Sequence, residues 1–308
     1  MNDEKKRQKR EFLPFFPMGG IFVFIHSLAL LVTRPFEAAN MIAFENPNDP
    51  VNLIYFFLTL FVFTAIILLI AKFWKKQLIQ GIVLGATAYT AYFVFYPLLS
   101  FIVPALGSLV ISIAAAAVLV ITVVKYPEWY VIDICGIVVG VGAIGMLGIS
   151  LSIFLVVILL VGLAIYDAIS VYQTKHMIDL ADTVLDLKLP IILVIPKIRK
   201  YSLIKETRSL KERLKEDEER HALFLGLGDV IIPGFLVTST FHNIPNNGLL
   251  IALSVMFGTL FGFAVLLTRV MKGKPQAGLP YLCTGAILGY VISSYLLFGE
   301  LIGLAFPI

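Results

Sequence analysis

Long apolar stretches separated by short polar clusters run through the whole chain. The aliphatic runs exceed the roughly 20 residues needed to cross a bilayer, which predicts membrane helices rather than a β-barrel. Cutting the runs at charges, prolines and glycines gives nine helices. They fall at about 17–33, 51–71, 78–99, 105–124, 130–148, 151–173, 221–241, 248–268 and 277–297. The cuts are least sharp around Pro97, Pro104 and Gly148, where no charge separates neighbours. The predicted fold is an all-α integral membrane protein with one membrane domain. Residues 1–173 hold the N-terminal tail and helices one to six, 174–220 form one long polar loop, and 221–308 hold helices seven to nine.

Composition agrees with this pattern. Hydrophobic residues make up 59 % of the 308 and charged residues 14 %, against about 25 % charged in a soluble domain. The mean hydropathy is +0.94. This excludes a disordered chain, a collagen-like chain and a secreted disulfide scaffold. Cys135 and Cys283 lie far apart in apolar runs and read as small buried hydrophobes. The net charge of +4 is no nucleic-acid signal, because the basic residues sit in loops. The start, MNDEKKRQKREF, is basic and precedes an apolar run. No small-residue cleavage site follows Val32, and Arg34-Pro35 comes next, so the segment reads as a retained cytoplasmic tail and a first membrane helix.

Charge sets the expected orientation. With the N-terminus cytoplasmic, the nine-helix division places 23 of the 24 Lys and Arg on the inner side, and only Arg34 outside. An odd number of spans then leaves the C-terminus outside. Within the inner loop, residues 205–220 (KETRSLKERLKEDEER) are densely charged with mixed sign and read as a solvated helix or loop.

Ionisable groups inside a membrane are costly and are functional candidates by default. Four remain in or near the apolar spans: His26, Asp133, Asp167 and Asp229. His26 reads as a hydrogen-bonded packing histidine, and Asp133 as an interfacial or capping carboxylate. Asp167 lies eight residues before Lys175 and Asp229 nine residues after Arg220. At about 1.5 Å of helix rise per residue, both sit roughly 12–14 Å below the same face, on antiparallel neighbours. No Lys or Arg lies near them in sequence within the membrane. Two such carboxylates are most simply hosted by sharing a proton. That suits an aspartic protease, in which one carboxylate takes a proton from water and the other, protonated, polarises the scissile carbonyl. It equally suits a proton- or cation-coupled transporter, and both readings stand at this point.

The local context adds Gly226-Leu227-Gly228 before Asp229, with Pro233-Gly234 one turn on, and Tyr166 before Asp167. Glycines beside a buried carboxylate permit close backbone approach and a broken helix. Tyr166-Asp167, Gly226-Leu227-Gly228-Asp229 and Pro280-Tyr281-Leu282 resemble the YD, GxGD and PAL motifs of the presenilin and signal peptide peptidase family. The stretches AFENP (43–47), YPEWYVIDI (126–134), YDAISVYQTKHM (166–177) and KPQAGLPYL (274–282) look like archaeal presenilin homologues. The resemblance covers essentially the whole chain. It implies a presenilin-like fold and an intramembrane aspartyl protease, with Asp167 and Asp229 catalytic. It further implies that Tyr166, Gly226, Gly228, Pro280 and Leu282 support the site, and that transmembrane helices of other proteins are the substrates. The middle residue of the PAL-like motif is Tyr281 where the family has alanine, which bears on substrate preference. The resemblance implies neither metal nor organic cofactor. The chain has no HExxH, no GxSG and no Asp-Thr/Ser-Gly motif. Membrane lipid and transmembrane substrates are the expected partners, and nucleic acid is not.

One segment of the inner loop departs from helix. Leu189–Pro196 is too short to span, rich in β-branched residues and bounded by prolines, which predicts an extended strand. It reads either as an interfacial anchor on lipid or as a strand edge on which an unwound substrate pairs. In the second case Ile191, Ile192, Leu193, Val194 and Tyr281 contact substrate.

Overall fold

The structure is a computed structural model describing residues 15–73, 76–174, 189–196, 201–204, 222–270 and 276–304. The basic N-terminal tail, the charged run 205–220 and most of the 174–220 loop lie outside these residues. Nine α-helices occur among the described residues: α1 (Phe15–Ala38), α2 (Val51–Phe73), α3 (Lys76–Ser100), α4 (Ala105–Lys125), α5 (Trp129–Ser150), α6 (Ile153–Ile169), α7 (Leu227–Asn243), α8 (Gly248–Val270) and α9 (Leu279–Phe298). Seven are long and apolar enough to cross a membrane. Of the other two, α2 has a shorter apolar stretch, Val51–Ile67, and α7 has 17 residues. In hydrocarbon a helix satisfies its own backbone polar groups, which is why continuous aliphatic runs take this form.

α7 is the hub and packs against α1, α5, α6, α8 and α9. One apolar core joins α1, α5, α7, α8 and α9 around Phe22, Ile25, Ile144, Val230, Phe263 and Leu282. A second fills the space between α6, α7, α8 and α9 around Leu155, Leu159, Leu236, Val255 and Cys283. α2 and α4 instead turn large apolar side chains outward, among them Leu58, Phe61, Val110 and Val118, as helices bordering lipid do.

Glycines set how closely the central helices approach. A Cβ on Gly142 would lie 2.6 Å from Val94 of α3, and one on Gly148 2.5 Å from Thr238 of α7. α8 and α9 are closer still: a Cβ on Gly258 would collide with the Gly285 carbonyl, one on Gly285 with the Gly258 carbonyl, and one on Gly262 with the Tyr281 carbonyl. Small residues at a membrane crossing let backbones touch where larger side chains would hold them apart. This crossing fixes the start of α9 against α8.

Two departures from regular helix lie between α6 and α7. α6 continues beyond Ile169 as a π-helical turn, Ser170–Thr174. The segment expected to be extended does form a strand, β1 (Ile192–Pro196), which pairs antiparallel with β2 (Ala222–Gly226). β2 corrects the sequence-based division, which places helix seven at 221–241. Ala222–Gly226 gives its backbone bonds to β1, and Gly226 is extended (φ −61°, ψ 130°) before α7 begins at Leu227. Asp229 therefore lies in the first turn of α7, not two turns into it.

Candidate active site

Asp167 occupies the last turn of α6 and Asp229 the first turn of α7. Both carboxyls converge on the start of α9. Asp167 Oδ2 accepts the Leu279 N–H at 3.1 Å, and the Gly278 N–H faces the same carboxyl. The Asp229 carboxyl lies against Gly278, where an added Cβ would stand 3.1 Å from Oδ2, 3.2 Å from Oδ1 and 3.3 Å from Cγ. The two carboxyls are near enough to interact electrostatically.

The local chemistry explains this meeting point. The first N–H groups of a helix have no intrahelical acceptor and carry the positive end of its dipole. In α9 the second residue, Pro280, has no N–H to satisfy. The Leu279 N–H is left over, and a carboxylate from another helix takes it. Gly278 supplies the other half of the fit, because a Cβ there would press on the Asp229 carboxyl and a larger side chain would displace it. Sequence reasoning missed Gly278 and Leu279. Their only signal was position, immediately before Pro280.

The remaining expected site residues fall into distinct places. Leu282 is fully buried in the core cluster that contains Leu227 and Val230, on either side of Asp229. Gly226 lies beside the site, with an added Cβ 3.4 Å from Asp229 Oδ2. Gly228 is exposed, and a Cβ there would meet nothing within 4 Å. It faces open space next to Asp229 and separates no helices. The Tyr166 ring meets Phe61 of α2 edge-on at 5.9 Å. Tyr281 is half-buried, and its hydroxyl reaches Gln276 Oε1 at 3.4 Å, which also accepts the Tyr172 hydroxyl at 3.1 Å. This links the π-helical turn after Asp167 to the start of α9.

The strand residues call for a correction of detail. Leu193 and Val194 are fully buried, Ile192 is half-buried and Ile191 is 38 % exposed. The Leu227 N–H donates to the Ile191 carbonyl at 3.0 Å. In an antiparallel ladder, bonded and non-bonded pairs alternate. Leu193–Leu225 and Ile195–Leu223 are then the bonded pairs, and the N–H and C=O of Val194 and Phe224 point outward. On the β1 side that outward edge is covered: the Val194 N–H donates to Asp133 Oδ1 of α5 at 2.7 Å. One face of the sheet packs into the main core through Leu193, Ile195, Leu223 and Leu225. The other packs against Ile132, Tyr201 and Leu203. Tyr201–Leu203 is itself fastened by Glu128, whose carboxylate accepts the Ser202 hydroxyl at 2.6 Å and the Leu203 N–H at 3.0 Å. The expected open edge is therefore not on β1. The outward groups of β2, the N–H and C=O of Phe224 and the N–H of Gly226, lie on the opposite edge, which ends at Gly226 beside Asp229.

No group of three or more His, Cys, Asp or Glu side chains able to hold a metal occurs among the described residues.

Comparison with known proteins bears on the whole chain. The family described as signal-peptide peptidase, presenilin aspartyl protease matches residues 19–299. Two solved structures, each of a presenilin family intramembrane aspartate protease, are similar throughout. The one in space group C222 is 30 % identical, with a TM-score of 0.66, over 93 % of this chain and 99 % of that one. The one in P2 is 33 % identical, with a TM-score of 0.68, over 92 % and 98 %. No curated protein matches.

Proposed function

The chain belongs to the signal-peptide peptidase and presenilin aspartyl protease family and is a multi-pass intramembrane aspartyl protease, and we propose that Asp167 and Asp229 are its catalytic pair. The observation that carries this assignment is their convergence on Gly278 and Leu279 at the start of α9. The transporter reading of the carboxylates has no support from the family.

Water is held between the carboxyls. As its oxygen attacks the scissile carbonyl carbon, one carboxylate takes its proton and the other, protonated, donates to the carbonyl oxygen. The diol formed collapses with cleavage of the C–N bond, and a proton passes to the leaving nitrogen. The products are a new carboxyl terminus and a new amine. One shared proton must be present, so activity falls at low pH, when no base remains, and at high pH, when no acid remains.

Peptide bonds in a helix are shielded, so the substrate must be locally unwound at the site. An unwound segment brings unpaired N–H and C=O groups into an apolar setting. The outward N–H and C=O of Phe224 and the N–H of Gly226 answer this need, and the strand-pairing role belongs to β2 rather than β1. Pairing through the main chain gives affinity with little regard to side-chain identity. The substrates are transmembrane segments of other proteins, and lipid surrounds the bundle. The basic residues favour a cytoplasmic N-terminus with the dyad toward that side. Cysteines placed beside Asp167 are then labelled by a charged reagent from the cytoplasmic face, and labelling only from the outer face overturns this orientation.

The catalytic assignment is tested with Asp167→Asn and Asp229→Asn proteins reconstituted with a single-span substrate. Each loses cleavage while its thermal unfolding is unchanged. Robust cleavage by either single variant ends the assignment.

A further inference from the structure

His26 is buried in α1, 1 % exposed, and its Nε2 lies 2.9 Å from the Val230 carbonyl of α7. A carbonyl only accepts, so Nε2 carries the proton and donates. α7 leaves room for the ring at Gly234. A Cβ there would stand 3.0 Å from His26 Nε2 and 2.7 Å from Ile144. The Phe22 ring holds the imidazole edge-on from α1, at 6.1 Å.

The place where this bond lands matters. Pro233 lies inside α7 and has no N–H, so the Asp229 carbonyl lacks its donor four residues on. The first turn of α7, which carries Asp229, is tied into its helix by one bond fewer than a regular turn. The next carbonyl along the chain, that of Val230, receives the donor from α1. A polar bond at a buried, otherwise apolar crossing thus fastens the residue adjacent to Asp229, at the point where the helix's own ladder is interrupted.

We propose that His26 is a positioning residue for the reaction: its Nε2–H grips the Val230 carbonyl and fixes the rotation of the α7 turn that presents Asp229 to Gly278 and Asp167. This rests on Asp229 being catalytic. Misplacing a reacting group by about 1 Å costs on the order of 100-fold in rate. A partial rotation of one turn then lowers kcat about ten-fold or more, while substrate binding, carried by β2 and the rest of the cleft, is unchanged.

The test uses the full chain in liposomes with a single-span substrate. It compares His26→Gln, His26→Asn, His26→Leu and Phe36→Leu. Gln places an N–H near the position of Nε2, whereas Asn is too short to reach Val230 and Leu has no donor. Phe36 is equally buried on the same helix, about 15 Å further along, and controls for lost packing. The expected result is a loss of kcat in His26→Leu and His26→Asn at constant KM, recovery to within about three-fold of wild type in His26→Gln, and no kcat loss in Phe36→Leu. If Leu does not fold, the Gln–Asn pair decides alone. Wild-type kcat in His26→Asn, equal loss in Gln and Asn, or a kcat that follows melting temperature across all four variants overturns the positioning role. Asp229→Asn is measured alongside. If that variant still cleaves, the catalytic assignment has failed, which is a separate result from wild-type cleavage in His26→Asn with an inactive Asp229→Asn.

Discussion

Enlarging the side chain at residue 278 separates the chemistry of the site from its stability. Gly278 has φ −79° and ψ −48°, a right-handed helical conformation open to any L-residue. Substitution therefore brings no backbone strain, and reduced freedom of the unfolded chain offsets part of any crowding, by about 0.4–1 kcal/mol. The crowding falls on one group. A Cβ stands 3.1 and 3.2 Å from the Asp229 oxygens, a few tenths of an ångström inside ordinary contact at about 3.5 Å. Alanine asks the carboxyl to shift by that much and lowers kcat no more than a few-fold. Valine adds two methyl groups in a region already filled by the carboxyl and moves it by about 1 Å, which lowers kcat about 100-fold. Cleavage of a reconstituted single-span substrate gives kcat, and thermal unfolding in the same detergent gives stability. The expected series is monotonic in activity (Gly, Ala, Val) at nearly constant melting temperature. Wild-type cleavage by Gly278→Val, or an activity loss that only mirrors a fall in melting temperature, refutes the contact between Gly278 and Asp229 as a determinant of rate.

The other predictions concern the surroundings of the dyad. Gly228→Ala places a methyl group in open space beside Asp229; thermal stability is kept or rises by up to about 1 kcal/mol, while steady-state kinetics show weaker cleavage of substrates with bulky residues near the scissile bond. Phe224→Pro removes an outward N–H from β2 and keeps the β1–β2 bonds; competition assays show a larger loss for membrane-spanning substrates than for short, already extended peptides. Gly262→Ala forces α8 away from the Tyr281 carbonyl and lowers stability by about 1–3 kcal/mol in denaturant titration, with loss of activity as the start of α9 moves off Asp167.

The helices and the carboxylate pair were legible in the sequence because both are local signals. A run of aliphatic residues broken by Lys72 or Lys125 announces its own ends, and a carboxylate such as Asp229 stands out in apolar surroundings. The strand at Ile192–Pro196 was legible for the same reason, from β-branched residues between prolines. Its partner was not. Ala222-Leu-Phe-Leu-Gly is a short apolar run continuous with the helix that follows, and only pairing with β1 makes it extended. The site contacts were hidden in the same way. Leu279 meets Asp167 across 112 residues of sequence, and His26 meets Val230 across 204. Asp133 showed itself as a capping carboxylate, but what it caps is a strand edge rather than its own helix.

These long-range contacts share a physical logic. Bilayer-spanning helices bury their backbone and leave no place for an extended peptide. Hydrolysis needs one, together with two carboxyls that a continuous helix would not bring to a common point. Near the dyad the regular helices stop: α6 loosens into a π-helical turn after Asp167, α7 begins only after a strand, and α9 begins just after Gly278. Each interruption frees backbone groups that must be satisfied, and the structure uses them. The Leu279 N–H holds Asp167, the Val194 N–H is capped by Asp133, and β1 pairs with β2. The outward N–H and C=O of Phe224 and the outward N–H of Gly226 have no part in any of these bonds; the Gly226 carbonyl opens the α7 ladder. In the proposed strand-pairing role, the edge of β2 that ends beside Asp229 is where a peptide released from its own helix regains backbone hydrogen bonds and remains extended for attack.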